Sequence, residues 1–495
     1  MESRYWQGAS GSDTIRAPHR KRRERHLGGR VIEPLREIST NTRRLSAYIA
    51  GALKQPLPPA ILAKARQHIL DTMAAMISGT RLPPGKLAIA YVTSLGGVRQ
   101  ASVIGTRLLT SAVHAALANG MLAHADETDD SHAPSRTHPG CAVIPAALAA
   151  AESARASGED FIRAVVLGYD VAARINYALD PEALAASLRS THSVGGTFGA
   201  GAAAGALLGL DDRQVRHLLS FCAQQASGVG CHVRDPEHVE KAFDFGGMPA
   251  RNGVTAATMV AAGMTGVDDV FSGERNFLDA FATHPAPEAL SQELGHRFEI
   301  LATNIKKWPV GSPAQSALDA LTALMESDRI GPGDVESIEV HLPGRSARTV
   351  DNAPMSNLNL QHLMAMLLVD GVLSFDSIHA QERMQEPAIL SLRRKIVLFE
   401  SDELARAVPR RQAIVAVKTR DGRSLSKRVL AVRGTADNPM SQTEVEVKAF
   451  DLIGSVLGAR RAKAILRAIG KLETVPDVVT LRRLWQPSGK TGLPT

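Results

Sequence analysis

The chain has 495 residues, enough for two or three domains around a large core. Aromatic residues make up only 4% of it while Ala, Gly and Leu dominate, which favours closely packed helices. The formal charge of +7 is not a global property: residues 1–44 hold eleven Arg and Lys against five Asp and Glu, so the body of the chain is near neutral and nucleic-acid binding by it is not expected.

Residues 1–38 read as a disordered basic tail, with His-Arg-Lys-Arg-Arg-Glu-Arg-His at 19–26 and no apolar periodicity. No apolar stretch of signal-peptide type follows the basic run, and intruding acids weaken a transit-peptide reading. A start assigned too far upstream would also produce such a tail. Nucleic-acid binding by the tail is disfavoured because no aromatics interleave with its basic run. Cys141, Cys222 and Cys231 are too few, and odd in number, for a disulfide framework; they read as buried small hydrophobes in a reducing, cytoplasmic setting.

Order is expected from about Ser39. Pro58-Pro59 opens a helix with apolar residues at 61, 62, 65, 69, 73 and 76, and Gly79 reads as its C-cap. A second helix, 111–125, leads into His124-Ala-Asp-Glu-Thr-Asp-Asp-Ser-His132, four acids and two histidines within nine residues. The chain turns through Pro134-Ser135 to Thr137-His138-Pro139-Gly140 and enters a helix uncharged until Glu152. Titratable groups delivered to a helix start, where free N–H groups favour anions, make this stretch the leading site candidate. The competing readings are a solvated loop and a metal cluster of His124, Asp126, Asp129, Asp130 and His132, although no established ligand spacing is present.

An amphipathic helix spans 159–177. His192 then precedes a Gly/Ala-rich run free of charge until Asp211. Small residues outnumber large aliphatics there, so it reads as a central buried helix rather than a membrane span. Lys241-Ala-Phe-Asp-Phe-Gly-Gly-Met-Pro again sets a charged group before a Gly/Pro turn and a small-residue helix at 254–265. After residue 302 the texture changes. Lys306-Lys307-Trp308-Pro309 precedes a helix at 314–326, and strand-like alternation appears at 335–342, 395–399, 412–420 and 425–432, the last two joined by Asp421-Gly422. Helices at 441–457, 459–472 and 476–485 close the chain, the first with a Ser441/Glu444 capping box. The expected architecture is mainly α: a discontinuous helical domain, 39–303 and 437–495, with a smaller α+β lid inserted at 304–436.

The stretches DETDDSHAPSRTHPG, His192 with its glycine helix, KAFDFGGMPARNG and IKKWPVGSPAQSALDAL occur in order over roughly residues 40–490. Together they resemble the MmgE/PrpD family, which includes 2-methylcitrate dehydratase, cis-aconitate decarboxylase and iminodisuccinate epimerase. The resemblance implies a helical domain with an α+β lid, a homodimer, no cofactor, and a cleft between domain and lid. It assigns Asp126, Ser131, His138 and His192 to catalysis and Lys241 and Lys306 to substrate binding. Strict register would place the loop's first aspartate on Glu127; the adjacent Asp126 is preferred and the choice stays open. Gln315 and His362 replace a histidine and a tyrosine of many relatives at substrate-contact positions. The expected activity is that of a lyase on a di- or tricarboxylate, dehydration ahead of decarboxylation. The alternatives are an amino- or imino-dicarboxylate epimerase and a metal-dependent hydrolase.

Overall fold

The computed structural model describes residues 37–487. The basic tail before residue 37 and the last eight residues lie outside them. The first helix, Thr40–Gly51, is capped by Ser39, whose side chain accepts from the Thr42 N–H. The fold is mainly α, and most of its buried apolar side chains fall into two clusters.

The first cluster gathers the helices Pro59–Gly79, Ala112–Ala123, Pro139–Ala154, Gly158–Leu179, Thr191–Leu207 and Met248–Ala261. The C-terminal helices Gln442–Leu457 and Ala459–Ile469 pack back onto it through Val445, Leu452 and Ile465. Thr191–Leu207 lies at the centre, with every residue buried except His192. Its small residues permit that: a Cβ on Gly199 would stand 2.4 Å from the Gly168 carbonyl, so backbones meet where larger side chains would hold them apart. Gly79, expected as a C-cap, lies inside its helix, and the chain leaves through Thr80. Its missing Cβ serves packing instead, since one would fall 2.2 Å from the Leu122 carbonyl oxygen. The helix expected from Val254 begins earlier, at Met248 with Pro249 in its first turn.

The second cluster runs from Trp308 to Val417. Its four-stranded sheet has the order Ile396–Glu400, Val335–Leu342, Ala413–Thr419, Ser424–Val429. The first pair is parallel and the others antiparallel, with Asp421-Gly422 turning the hairpin at φ 89° for Gly422. Gln315–Asp328 and Leu360–Asp370 supply helical cover. The closing segment near 476–485 is shorter than expected, a 3-10 turn followed by one helical turn at Arg482–Trp485. No helix among the described residues is long and apolar enough to cross a membrane.

Candidate active site

The acid loop 124–138 does not lie in solvent. His124, Asp129 and Asp130 are fully buried, and Asp126, Glu127, Ser131 and His132 nearly so. A charge is tolerated at such depth only where partners hold it, and each carboxylate of the loop has a different set. Asp130 accepts from the Gly140 N–H at 2.9 Å, from Tyr169 Oη at 2.5 Å and from His68 Nδ1 at 2.8 Å, which anchors the loop to the helix start. Asp129 lies between two imidazoles, 3.1 Å from His138 Nδ1 and 2.9 Å from His124 Nδ1. Burial pushes its carboxyl up, but His124, His138 and Lys306 outweigh this and hold it well below the usual range. As an anion it can only accept, so His138 donates its Nδ1–H and presents Nε2 as the free ring nitrogen.

His138 N-caps the Pro139–Ala154 helix, and its ring lies 5.2 Å, centre to centre, from that of His192 at the start of the central helix. His192 stacks on Phe245 at 3.6 Å. Burial, then the neighbouring His138, His124 and His232, hold His192 well below the ordinary imidazole range. His138 is also lowered, by burial first, with Asp129 acting in the opposite sense. Both imidazoles are neutral at pH 7. Phe245 occupies a π-helical turn, Phe243–Gly247, pressed against the Ala112–Ala123 helix. A Cβ on Gly246 would stand 2.1 Å from the Gly120 carbonyl oxygen, so the glycine allows the contact that seats the aromatic platform.

Glu127 faces Lys241. The two side chains form a close ion pair, and Lys306 Nζ lies 3.9 Å from the second carboxylate oxygen. The two lysines, 65 positions apart, thus converge on one acid. Burial raises the Glu127 carboxyl, but Lys241, Lys306, His238 and His124 together hold it well below its usual value. Lys306 also donates to the Glu127 carbonyl at 2.5 Å and lies 3.7 Å from Asp129, so it braces the loop from behind.

A cavity of about 830 Å³ opens between the two clusters. From the helical side Glu127, Ser131, His138, His192, Lys241 and Phe245 line it. The facing wall comes from the sheet-bearing part, with Arg345, Leu404, Arg410 and Arg411. Ser131 Oγ and His192 Nδ1 are buried without a hydrogen-bond partner in the protein, which leaves both able to bond to a ligand in the cavity.

Four of the expected site residues, Ser131, His138, His192 and Lys241, meet in this cavity; Lys306 stands one layer behind it. The others are elsewhere. Asp126 turns away to His379, with Oδ2 3.3 Å from Nε2, while its neighbour Glu127 enters the cavity. Gln315 spends its amide on the backbone, donating to the Trp308 and Val310 carbonyls at 2.8 and 3.0 Å and accepting from the Trp308 N–H. His362 is fully buried in the second cluster, with neither ring nitrogen partnered, and burial lowers it to about 4. The five-residue metal cluster does not assemble, because Asp126, Asp130 and His132 face His379, His68 and Glu299 respectively. His124 does come within ligand spacing of Glu127 and His238, and also of Asp129 and Cys141, but Glu127 is already held between two ammonium groups and Asp129 between two imidazoles. Cys141 and Cys222 are buried and free as expected, whereas Cys231 is partly exposed, its thiol 3.0 Å from Glu240.

The pairing of Asp129 with His138, the stacking of Phe245 on His192 and the place of Arg411 on the cavity wall escape sequence reading. Asp129 was visible only as one acid among four, and no local pattern distinguishes Phe245 or Arg411. The chain belongs to the MmgE/PrpD family: residues 43–290 match the MmgE/PrpD N-terminal domain and residues 308–474 the C-terminal domain. It is 26% identical over 475 residues to a cis-aconitate decarboxylase-like protein, oryM, of Aspergillus oryzae, covering 90% of this chain and 96% of the relative. It is 24% identical over 478 residues to a cis-aconitate decarboxylase of Aspergillus terreus, covering 90% and 95%.

Proposed function

We propose that this protein is a lyase acting on a small polycarboxylate through side-chain acid–base chemistry, with decarboxylation as its reaction. The observation that carries the reading is the meeting of the His138–Asp129 pair with neutral His192 in one cavity whose walls bear cations. The activity in the names of the two fungal relatives supports decarboxylation over the dehydration expected from the resemblance. In an allylic tricarboxylate such as cis-aconitate, the bond to the departing carboxylate breaks and carbon dioxide leaves. The electron pair shifts across the double bond, and a proton adds at its far carbon to give an unsaturated dicarboxylate. His138 takes up a proton from solvent at Nε2 when the polyanion binds, and then delivers it to that carbon. A bound polyanion raises the proton affinity of a neighbouring imidazole and so offsets the effect of burial. Lys241, tethered by Glu127, puts positive charge where the electron pair delocalises.

One observation favours a second reading. Both cavity imidazoles are held neutral, which suits proton abstraction followed by loss of water or return of the proton to the opposite face. That would make the protein a 2-methylcitrate dehydratase-like enzyme or an epimerase. The test is incubation of the full chain with cis-aconitate, 2-methylcitrate and citrate in deuterium oxide, following carbon dioxide, unsaturated-acid absorbance and deuterium uptake. Carbon dioxide from cis-aconitate supports the first reading. Unsaturated-acid absorbance or deuterium uptake without carbon dioxide transfers support to the second, and no change in any of the three substrates refutes the decarboxylase and dehydratase readings. We further propose that the sheet-bearing part acts as a lid and that the enzyme works as a homodimer, which sedimentation equilibrium checks.

A further inference from the structure

We propose that Arg411 is the residue that selects a polycarboxylate, by holding a substrate carboxylate remote from His138 and His192; this rests on the polycarboxylate reading above. The lysines that the resemblance assigns to substrate binding are committed. Lys241 is paired with Glu127, and Lys306 is tied to the Glu127 carbonyl and to the carboxylates of Glu127 and Asp129. On the facing wall, Arg410 is 3.5 Å from Glu182, which also holds Arg136 at 2.5 Å. Arg345 and Arg411 line the cavity with no ion pair or side-chain hydrogen bond among the described residues, and of the two Arg411 is the less exposed.

A half-buried guanidinium without a carboxylate is an expensive arrangement unless a ligand completes it. Burial lowers the Arg411 pKa, and the field of Glu127 across the cavity opposes this, so the guanidinium lies within electrostatic reach of the loop that carries the acid–base residues. The backbone agrees. Arg411 has φ 68°, in the left-handed region that a long side chain rarely adopts, two residues before the strand Ala413–Thr419. Strain of that kind persists where surrounding structure imposes it and gathers at ligand sites. The fork geometry of a guanidinium matches a carboxylate through two parallel N–H donors, which a point charge does not reproduce. A ligand bridging His138 and Arg411 would join the two hydrophobic clusters through its own two ends. That selects a substrate with an anionic group at each end and rejects a monocarboxylate.

The experiment uses the full chain, with tricarballylate as probe in isothermal titration and thermal-shift measurements on the wild type, Arg411→Gln and Arg411→Lys. Tricarballylate is expected to bind the wild type, and Arg411→Gln to weaken it about 10- to 100-fold, the range for a lost charge-assisted pair. Arg411→Lys should fall between them. Without ligand, Arg411→Gln should melt at or above the wild type, because no protein partner is lost and an unpaired charge leaves a desolvated position. A wild type that binds neither tricarballylate nor citrate overturns the polycarboxylate reading and this inference with it. Binding by the wild type with unchanged affinity in Arg411→Gln overturns the inference alone. Should Arg411→Gln not fold, wild-type affinity in Arg411→Lys overturns it and an intermediate affinity upholds it.

Discussion

The Lys241–Glu127 pair gives the sharpest test of how this site is held together. Lys241→Met keeps the aliphatic stem beside Phe245, whose ring centre lies 5.3 Å from Nζ, and removes the charge. Glu127, whose side chain is 8% exposed beside Lys241, keeps Lys306 as its remaining cation at 3.9 Å. Losing one partner of a fully buried pair costs roughly 3–5 kcal/mol. Here the lysine is 22% exposed and a second ammonium remains, so about 1–3 kcal/mol is expected. For a chain this long that corresponds to a fall of about 1–3 °C in Tm by calorimetry. Glu127→Gln combined with Lys241→Met should recover most of the stability, because no unpaired charge is left. It should not recover activity; kcat/KM should stay about 100-fold down in both variants, since the cation beside the developing negative charge is gone. A double variant no more stable than Lys241→Met, or a single variant with wild-type stability and turnover, would refute the reasoning.

His362 predicts a pH effect. Its folded pKa is lowered to about 4 by burial, against an ordinary 6.5, so the unfolded state binds more protons between those values and His362 destabilises the fold as pH falls through that window. His362→Leu should therefore gain about 2 kcal/mol at pH 5 relative to pH 8 in urea melts, and equal gains at both would count against it. Asp126→Asn should change kcat less than about 3-fold while Glu127→Gln lowers it about 100-fold, because only Glu127 faces the cavity; the reverse order in steady-state kinetics would restore Asp126 to the site. Gly246→Ala should cost about 1–3 kcal/mol, since its Cβ would fall 2.1 Å from a backbone oxygen that cannot yield; an unchanged melt would show that the π-helical turn is not under that constraint.

By itself the sequence determined the elements whose signals are local. Helical periodicity marked Pro59–Gly79 and Gly158–Leu179, Asp421-Gly422 marked a hairpin, and Ser441 with Glu444 marked a helix start. It also placed Ser131, His138, His192 and Lys241 on segments that the fold brings to one cavity. It did not decide which way a side chain points within a loop that lacks a repeating pattern. Asp126 and Glu127 are adjacent and alike in composition, and only the surrounding lysines and His379 send one inward and the other outward. Gln315 and His362 stand in register with positions the resemblance assigns to substrate contact, yet packing in the second cluster turns both away from the cavity. Arg411 carries no signal in its own segment. Its meaning arises because a segment 284 residues beyond Glu127 returns to the acid loop across the cavity, and charges facing each other through space leave no periodicity for a sequence to show.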